Sequence, residues 1–287
     1  MSTEDRNVHA EEIDLLTTEE IIDWMVRDYD SILIALRETR RSIEQLVEDA
    51  VRRFRAGGRL FYVGAGTSGR LGVIEAAELY PTFGIASGRV KAVMAGGKEA
   101  VFASMEGAED DEDSGRGAME EATGGDIVIG ISASGKTPFV LSALREAKRR
   151  GAGCWLITSN PLEYGFLDGL VFLRTGPEMV AGSTRMKAGT AAKIVLNIIS
   201  TAVMIRLGKV YRGYMVDLVP LSRKLKRRAI RIVSNLTGIP EEEAEDLLQR
   251  SGWAPKKAIV MKARGVSPGE AEELLLKAGG SLRKVLE

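Results

Sequence analysis

The sequence predicts an α/β protein: a parallel five-stranded sheet covered by helices on both faces, with a helical arm before it and a small helical module after it. Three observations predict this. Five short apolar runs, "RLFYVG", "RVKAVMAG", "DIVIGIS", "GCWLIT" and "LVFLRT", lie between residues 59 and 175. Helix-compatible segments separate most of them, and unbroken apolar strands alternating with helices are the pattern of a sheet buried on both faces. On either side the apolar spacing becomes helical. The expected organisation is an arm over 1–56, a sheet domain over 57–222 and a helical module over 223–287.

In chain order, "TTEEIIDWMVRDYD" opens with the Thr-then-Glu pattern of a capped helix. One longer helix follows, with Ile32, Leu36, Ile43, Val47, Ala50 and Phe54 spaced by three, four or seven residues. Gly57-Gly58 suits its left-handed end. After the strands, "RMKAGTAAKIVLNIISTAVMIRLG" reads as a long, largely buried helix ended by Gly208. Beyond about residue 223 the strands stop. "IPEEEAEDLLQRSG", "APKKAIVMKARG", "SPGEAEELLLKAGG" and "SLRKVLE" are short helical units punctuated by Pro and Gly, with a capping box at Ser267 and Glu270. Packing is the expected role of this module.

The bulk numbers exclude several classes of function. Lys+Arg and Asp+Glu balance at 40 each, so no global field attracts nucleic acid or an anionic membrane. No apolar run is expected to reach the roughly 20 residues of a membrane span. The polar, acidic start "MSTEDRNVHAEEID" lacks a signal-peptide pattern, and a cytoplasmic protein is expected. Cys154, the single cysteine, lies in a strand-like run and reads as a buried structural thiol. His9 is the only histidine, which excludes a Ser-His-Asp triad, a Cys-His pair and a multi-histidine metal site. No clustered cysteines replace histidine as ligands, and no metal is expected. Acid and base chemistry would fall to carboxylates.

Gly130 to Thr137, "GISASGKT", matches the P-loop pattern G-x-x-x-x-G-K-[ST] after a strand. The next residue argues against nucleotide binding. Pro138 suits the first helical position, which puts Thr137 at the N-cap, leaves Lys136 outside the helix and removes a backbone donor. No later strand ends in an Asp suited to magnesium. Phosphate chemistry survives this objection, because Ser132, Ser134, Lys136 and Thr137 gather hydroxyls and a cation at a helix N-terminus. "AGTSGRLG" repeats the design after the first strand with Thr67 and Ser68, and "AGSTRMKAG" offers Ser183, Thr184 and Lys187. Three such turns suggest one phosphate-bearing small molecule at the carboxyl ends of the strands. Taken singly, each turn is equally well a helix cap. Glu78 also reads as an exposed helix residue, and Glu109 as part of a solvated acidic run in "EGAEDDEDSGRG".

"GAGTSGRLG…AAELYPTFG", "MEGAED", "VIGISASGKTP", "GPEMVAGSTRMKAGTAAKIVLNIIS" and "MIRLGKVY…MVDL" resemble the N-acetylmuramic acid 6-phosphate etherases of the sugar isomerase (SIS) superfamily. The glucokinase regulatory proteins are relatives. The likeness implies a flavodoxin-like SIS domain, a homodimer with sites near the subunit interface, and a cofactor-free lyase. That lyase removes D-lactate from a sugar 6-phosphate during cell-wall recycling. The family's two carboxylates fall on Glu78, within "IEAAELYPTF", and on Glu109. Glu78 is expected to protonate the ether oxygen and Glu109 to take the proton on carbon 2. The chain departs from the family in "IEAAELYPTF", which lacks the usual Asp, Ser, Cys and first Pro. It departs again in "VPLSRKL", where a Thr-Asn pair is common. Three other readings remain open: a non-catalytic sugar-phosphate sensor, an aldose–ketose isomerase of the same fold, and a nucleotide hydrolase. A sensor has no need of both acids, an isomerase needs no acid at an ether oxygen, and a hydrolase would be stabilised by ATP with magnesium.

Overall fold

The computed structural model describes residues 2–287. Its chain divides into two compact units, one of Met1–Ala76 and Gly88–Ile199, the other of Ala77–Ser87 and Ser200–Glu287.

The first unit opens with α1 (Thr18–Asp28), α2 (Asp30–Glu38) and α3 (Arg40–Arg55). Thr17 caps α1 as expected, its hydroxyl accepting the Glu20 N–H while the Glu20 carboxylate accepts the Thr17 N–H at 2.8 Å. The longer helix expected to follow is two helices, α2 and α3, divided at Thr39. The Thr39 hydroxyl donates to the Ala35 carbonyl at 2.7 Å, and a hydroxyl bonded back into its own helix bends it. α3 ends where Gly57 adopts φ +93°.

The sheet comprises β1 (Leu60–Gly64), β2 (Val90–Met94), β3 (Ile127–Ile131), β4 (Gly153–Thr158) and β5 (Gly169–Phe172). All pairings are parallel and the order is β2-β1-β3-β4-β5, the flavodoxin-like arrangement. Every residue of β1, β3 and β4 is buried, as strands covered on both faces must be. Between the strands run α4 (Gly66–Phe83), α5 (Glu99–Phe102), α6 (Glu112–Gly117) and α7 (Pro138–Arg149). Side-chain alternation sorts the two faces. Phe61, Val63, Val128 and Leu156 pack with Val140, Ala143, Leu144 and Ala147 of α7. Trp155, of opposite parity in β4, donates its Nε1–H to Asp49 of α3 at 3.0 Å. Cys154 is buried among the α7-side residues, and burial pushes its thiol up to about 12.

At the amino end of the sheet, Asp126 is 1% exposed and accepts from the Arg59 N–H, the Arg59 Nη2 and the Thr123 N–H, each at 2.8 Å. These bonds tie the start of β1 to the start of β3.

The expectation that no segment is long and apolar enough to span a bilayer is corrected by α8 (Lys187–Arg206). Its 20 residues pass that test by length and composition. Half of that apolar stretch is buried inside the fold, and its charges lie only near its ends and at Lys193.

In the second unit, β6 (Val210–Tyr211) and β7 (Tyr214–Met215) form a hairpin turning on Arg212 (φ +46°) and Gly213 (φ +81°). Positive φ at both centres is the type I′ turn that suits a two-residue hairpin. Five helices follow: α9 (Arg223–Thr237), α10 (Glu241–Arg250), α11 (Pro255–Arg264), α12 (Pro268–Lys277) and α13 (Leu282–Leu286). The capping box at Ser267 and Glu270 forms as expected. Ile232, Val233, Leu248, Ile259 and Val260 centre the core of this unit. Beside it the Lys256 amine, on a side chain 9% exposed, donates to Asp217 Oδ2 at 2.5 Å and to the Gly280 and Gly208 carbonyls at 2.9 and 3.0 Å.

Candidate active site at the switch point of the sheet

β1 and β3 are neighbours, but their onward connections leave in opposite directions, to β2 on one side and to β4 on the other. Right-handed crossovers then place the two following helices on opposite faces, and a crevice opens at the carboxyl ends of the two strands. A cavity of about 340 Å³ lies there. Six of the expected substrate-binding residues line it: Thr67, Ser68, Ser132, Ser134, Thr137 and Thr184.

The first turn is shaped by Gly64 and Gly69. A Cβ on Gly64 would lie 2.6 Å from the Gly69 nitrogen, and one on Gly69 would lie 2.7 Å from the Gly64 oxygen. Only glycine lets the strand pass this close to the first turn of α4. Thr67 and Ser68 sit in that first turn, where backbone N–H groups lack helical acceptors and favour an anion.

The second turn is organised by its own hydroxyls. Ser132, 3% exposed, shares a 2.8 Å hydrogen bond with Thr137 and accepts the Gly135 N–H at 3.0 Å. The Ser134 hydroxyl accepts the Lys136 N–H at 3.2 Å. From behind, Thr158 Oγ1 and Asn160 Nδ2 both donate to the Ala133 carbonyl, at 3.1 and 2.8 Å. α7 begins at Pro138 with Thr137 as its N-cap, so Lys136 stands outside the helix and exposed, as the proline predicts.

Lys136, Ser183 and Lys187 do not line the cavity. Lys187 is 3% exposed and its amine donates to Asp28 at 2.8 Å. The start of α8 is held by Glu178, a fully buried carboxylate that accepts the Lys187 and Ala188 N–H groups at 3.0 and 2.9 Å. Burial pushes Glu178 above its ordinary range, against those two bonds and the nearby Lys187 charge. The turn carrying Ser183 and Thr184 is therefore fixed by a protein carboxylate.

Glu109 also lines the cavity. It lies on a short 3-10 turn, Ala108–Asp110, entered through Gly107 at φ +71°. The rest of the acidic run is partly committed elsewhere. Asp111 caps α6 through the Ser114 N–H, and Asp113 pairs with Arg116 at 3.1 Å. On α4, Glu75 is 7% exposed and accepts from Asn197 Nδ2 at 2.5 Å, whereas Glu78 is exposed.

Sequence reasoning misses three contributors to this region. Glu4 lines the larger cavity, brought there by Thr3, whose N–H and hydroxyl meet the Asn160 side chain at 3.1 and 2.8 Å. Asn160 itself is the second, and its place just after β4 is the only signal it carries. Arg70 is the third. It lines a smaller cavity of about 260 Å³ that shares Ala65, Gly66 and Glu109 with the larger one. Arg70 stands inside the "GAGTSGRLG" motif, and that position could have found it.

Residues 42–148 match the glucokinase regulatory protein N-terminal SIS domain. A protein named N-acetylmuramic acid 6-phosphate etherase from Geobacillus thermodenitrificans is 46% identical over 100% of this chain and 99% of its own. One of the same name from Petrotoga mobilis is 43% identical over 92% of this chain and 90% of its own. Among solved structures, a protein of E. coli CFT073 aligns with a TM-score of 0.50 at 19% identity, covering 69% of this chain and 96% of that one. That last likeness is one of fold alone.

Proposed function

The chain belongs to the N-acetylmuramic acid 6-phosphate etherase family, and from this premise we propose which of its groups carry the reaction. The activity is that of a carbon–oxygen lyase, converting N-acetylmuramic acid 6-phosphate to N-acetylglucosamine 6-phosphate and D-lactate. The phosphate sits among the turns of Thr67 and Ser68, of Ser132, Ser134 and Thr137, and of Ser183 and Thr184, with Lys136 as an exposed cation nearby. Lys187 acts on the third turn from behind, through its pair with Asp28.

In the ring-opened sugar the proton on carbon 2 is acidified by the neighbouring aldehyde. Glu109 removes it, and the electron pair forms the carbon 2–carbon 3 double bond as the carbon 3–oxygen bond breaks. Glu78 protonates the departing ether oxygen, which leaves as the hydroxyl of D-lactate. Water then adds across the double bond, its oxygen to carbon 3 and a proton to carbon 2. The sum is an ether hydrolysis that needs no redox partner, consistent with a cofactor-free site.

The observation that supports this reading is the convergence of Glu109 and two hydroxyl-rich turns on one cavity at the switch point. We further propose a cytoplasmic homodimer with its sites near the subunit interface. Exposed Ile22, Val26, Leu33 and Ile34 on α1 and α2 offer apolar surface for such a contact. A phosphorylated sugar is charged and does not cross a bilayer unaided, which supports the cytoplasm as the place of reaction.

D-lactate release by the purified protein tests the activity directly. Glu78→Gln and Glu109→Gln should each lower kcat by about 10²–10⁴-fold with folding intact, the usual worth of a positioned acid or base. Undiminished turnover in either variant would remove that carboxylate from the mechanism. Sugar-phosphate binding without lactate release would favour the sensor or isomerase readings.

A further inference from the structure

We propose that the smaller cavity is the subsite for the lactyl group, with Arg70 as the cation that receives the lactyl carboxylate. This rests on the etherase reading above, and it assigns the part of the substrate that distinguishes the ether from every other sugar phosphate.

Three features carry it. The first is position. The two cavities meet at Ala65, Gly66 and Glu109. A sugar with its phosphate at the hydroxyl turns and carbon 2 at Glu109 directs the substituent of the adjacent carbon 3 past Glu109, into the smaller cavity. The second is shape chemistry. Met94, Ala95, Ala100, Ala103 and Met105 give that cavity an apolar wall, suited to the methyl of a lactyl group.

The third is charge. The Arg70 Nε donates to the Val101 carbonyl at 2.9 Å, and Nη2 donates to the Ala100 and Ala103 carbonyls at 2.8 and 3.1 Å. All three acceptors are neutral, so they orient the guanidinium without neutralising it. Among the described residues no carboxylate forms an ion pair with Arg70, although Glu106 and Glu109 line the same cavity. Arg59 and Arg53 of the same unit are paired, with Asp126 at 2.8 Å and Asp49 at 2.9 Å, while Arg89 donates like Arg70 to backbone carbonyls but lines neither cavity. An oriented, half-buried guanidinium with its Nη1 donors unused is a site for a carboxylate, since charge-assisted bonds of this geometry are the strong ones. The same contact holds the leaving group as an anion while its hydroxyl oxygen takes a proton.

The test compares N-acetylmuramic acid 6-phosphate with its analogue bearing a lactyl carboxamide, alongside binding of N-acetylglucosamine 6-phosphate, which has no lactyl group. Lactate release from the natural substrate by the unaltered protein is the control for the etherase reading, and its absence sinks that reading before this one is reached. With activity present, the unaltered protein should prefer the carboxylate by about 10- to 100-fold in kcat/KM, the worth of one charged hydrogen-bonding contact. Arg70→Gln should shrink that preference to within about threefold while leaving N-acetylglucosamine 6-phosphate affinity within about threefold. Ser104→Asp places an anion on the exposed part of the same cavity without touching the Arg70 bonds, so it decides the matter even if Arg70→Gln does not fold. It should raise KM for the carboxylate substrate and spare the carboxamide. The proposal is overturned if the unaltered protein accepts both substrates equally. It is also overturned if Arg70→Gln weakens lactyl-bearing and lactyl-free ligands alike, or if Ser104→Asp affects both substrates alike.

Discussion

Glu75 and Glu78 stand one turn apart on α4, and burial separates them. Glu75 is closed into the fold against Asn197, while Glu78 is exposed. Ser132 is buried but turned to the cavity, so Ser132→Ala should weaken N-acetylglucosamine 6-phosphate binding by about tenfold in titration calorimetry, the worth of one hydrogen bond. Unchanged affinity would take Ser132 out of the site. Asp126 makes a different prediction, about pH. Burial alone would raise it, but the Arg59 side chain, the Arg59 N–H and the Thr123 donors together hold it below its ordinary 3.8. A depressed carboxylate contributes stability above its unfolded value and loses that contribution as pH falls through its folded one. Asp126→Asn should therefore cost about 3 kcal/mol at pH 7, with the gap to the parent closing as pH falls below 3.8. A gap independent of pH in denaturant melts would show that the charge is not what matters. The hydroxyl turns were legible because three of them recur after strands, although each alone reads equally well as a helix cap. Arg70 and Asn160 were not, because their roles depend on carbonyls far away in sequence.

Helix ends were the most legible elements. Thr17 with Glu20, Ser267 with Glu270, and Pro138 after Thr137 each act through neighbours within a few residues, so the chain itself carries the whole instruction. The start of α8 differs, since its cap comes from Glu178, nine residues before Lys187 and across an irregular turn. Glu178→Gln keeps the shape but turns an NH₂ toward a backbone N–H that needs an acceptor. It should cost about 1–3 kcal/mol in chemical denaturation and raise KM, because the turn bearing Thr184 loosens. A neutral result would mean that Ser183 and Thr184 are held by other contacts. The division of α2 from α3 was hidden for a related reason. Threonine fits a helix interior, and only its folded back-bond to Ala35 marks the break.

At the scale of the molecule, the exposed apolar stripe on α1 and α2 predicts self-association. Sedimentation should give twice the 31.1 kDa chain mass, and Leu33→Glu together with Ile34→Lys should halve it. A monomeric parent protein with full activity would end the dimer proposal. In the second unit Lys256→Met should destabilise by about 1–3 kcal/mol, since it leaves two carbonyls unpaired and Asp217 with Lys209 at 3.2 Å as its remaining cation. A conservative exchange to Arg should not rescue it, because the amine fits as a compact three-way donor.

The sequence by itself determined the α/β class, the five parallel strands, most helix ends and the hydroxyl turns that face the cavity. These follow from periodicity and from side chains acting on adjacent backbone, which are local properties of the chain. Only the tertiary structure decided that Lys187 is spent on Asp28, that Glu178 rather than a ligand caps α8, and that Thr3 draws Glu4 to the cavity. The division at Thr39 and the two-residue hairpin at Arg212 and Gly213 are local features that the residue pattern does not mark. The long-range cases pair groups distant in sequence, whose energies depend on desolvation and on geometry that exists only after the sheet has brought them together.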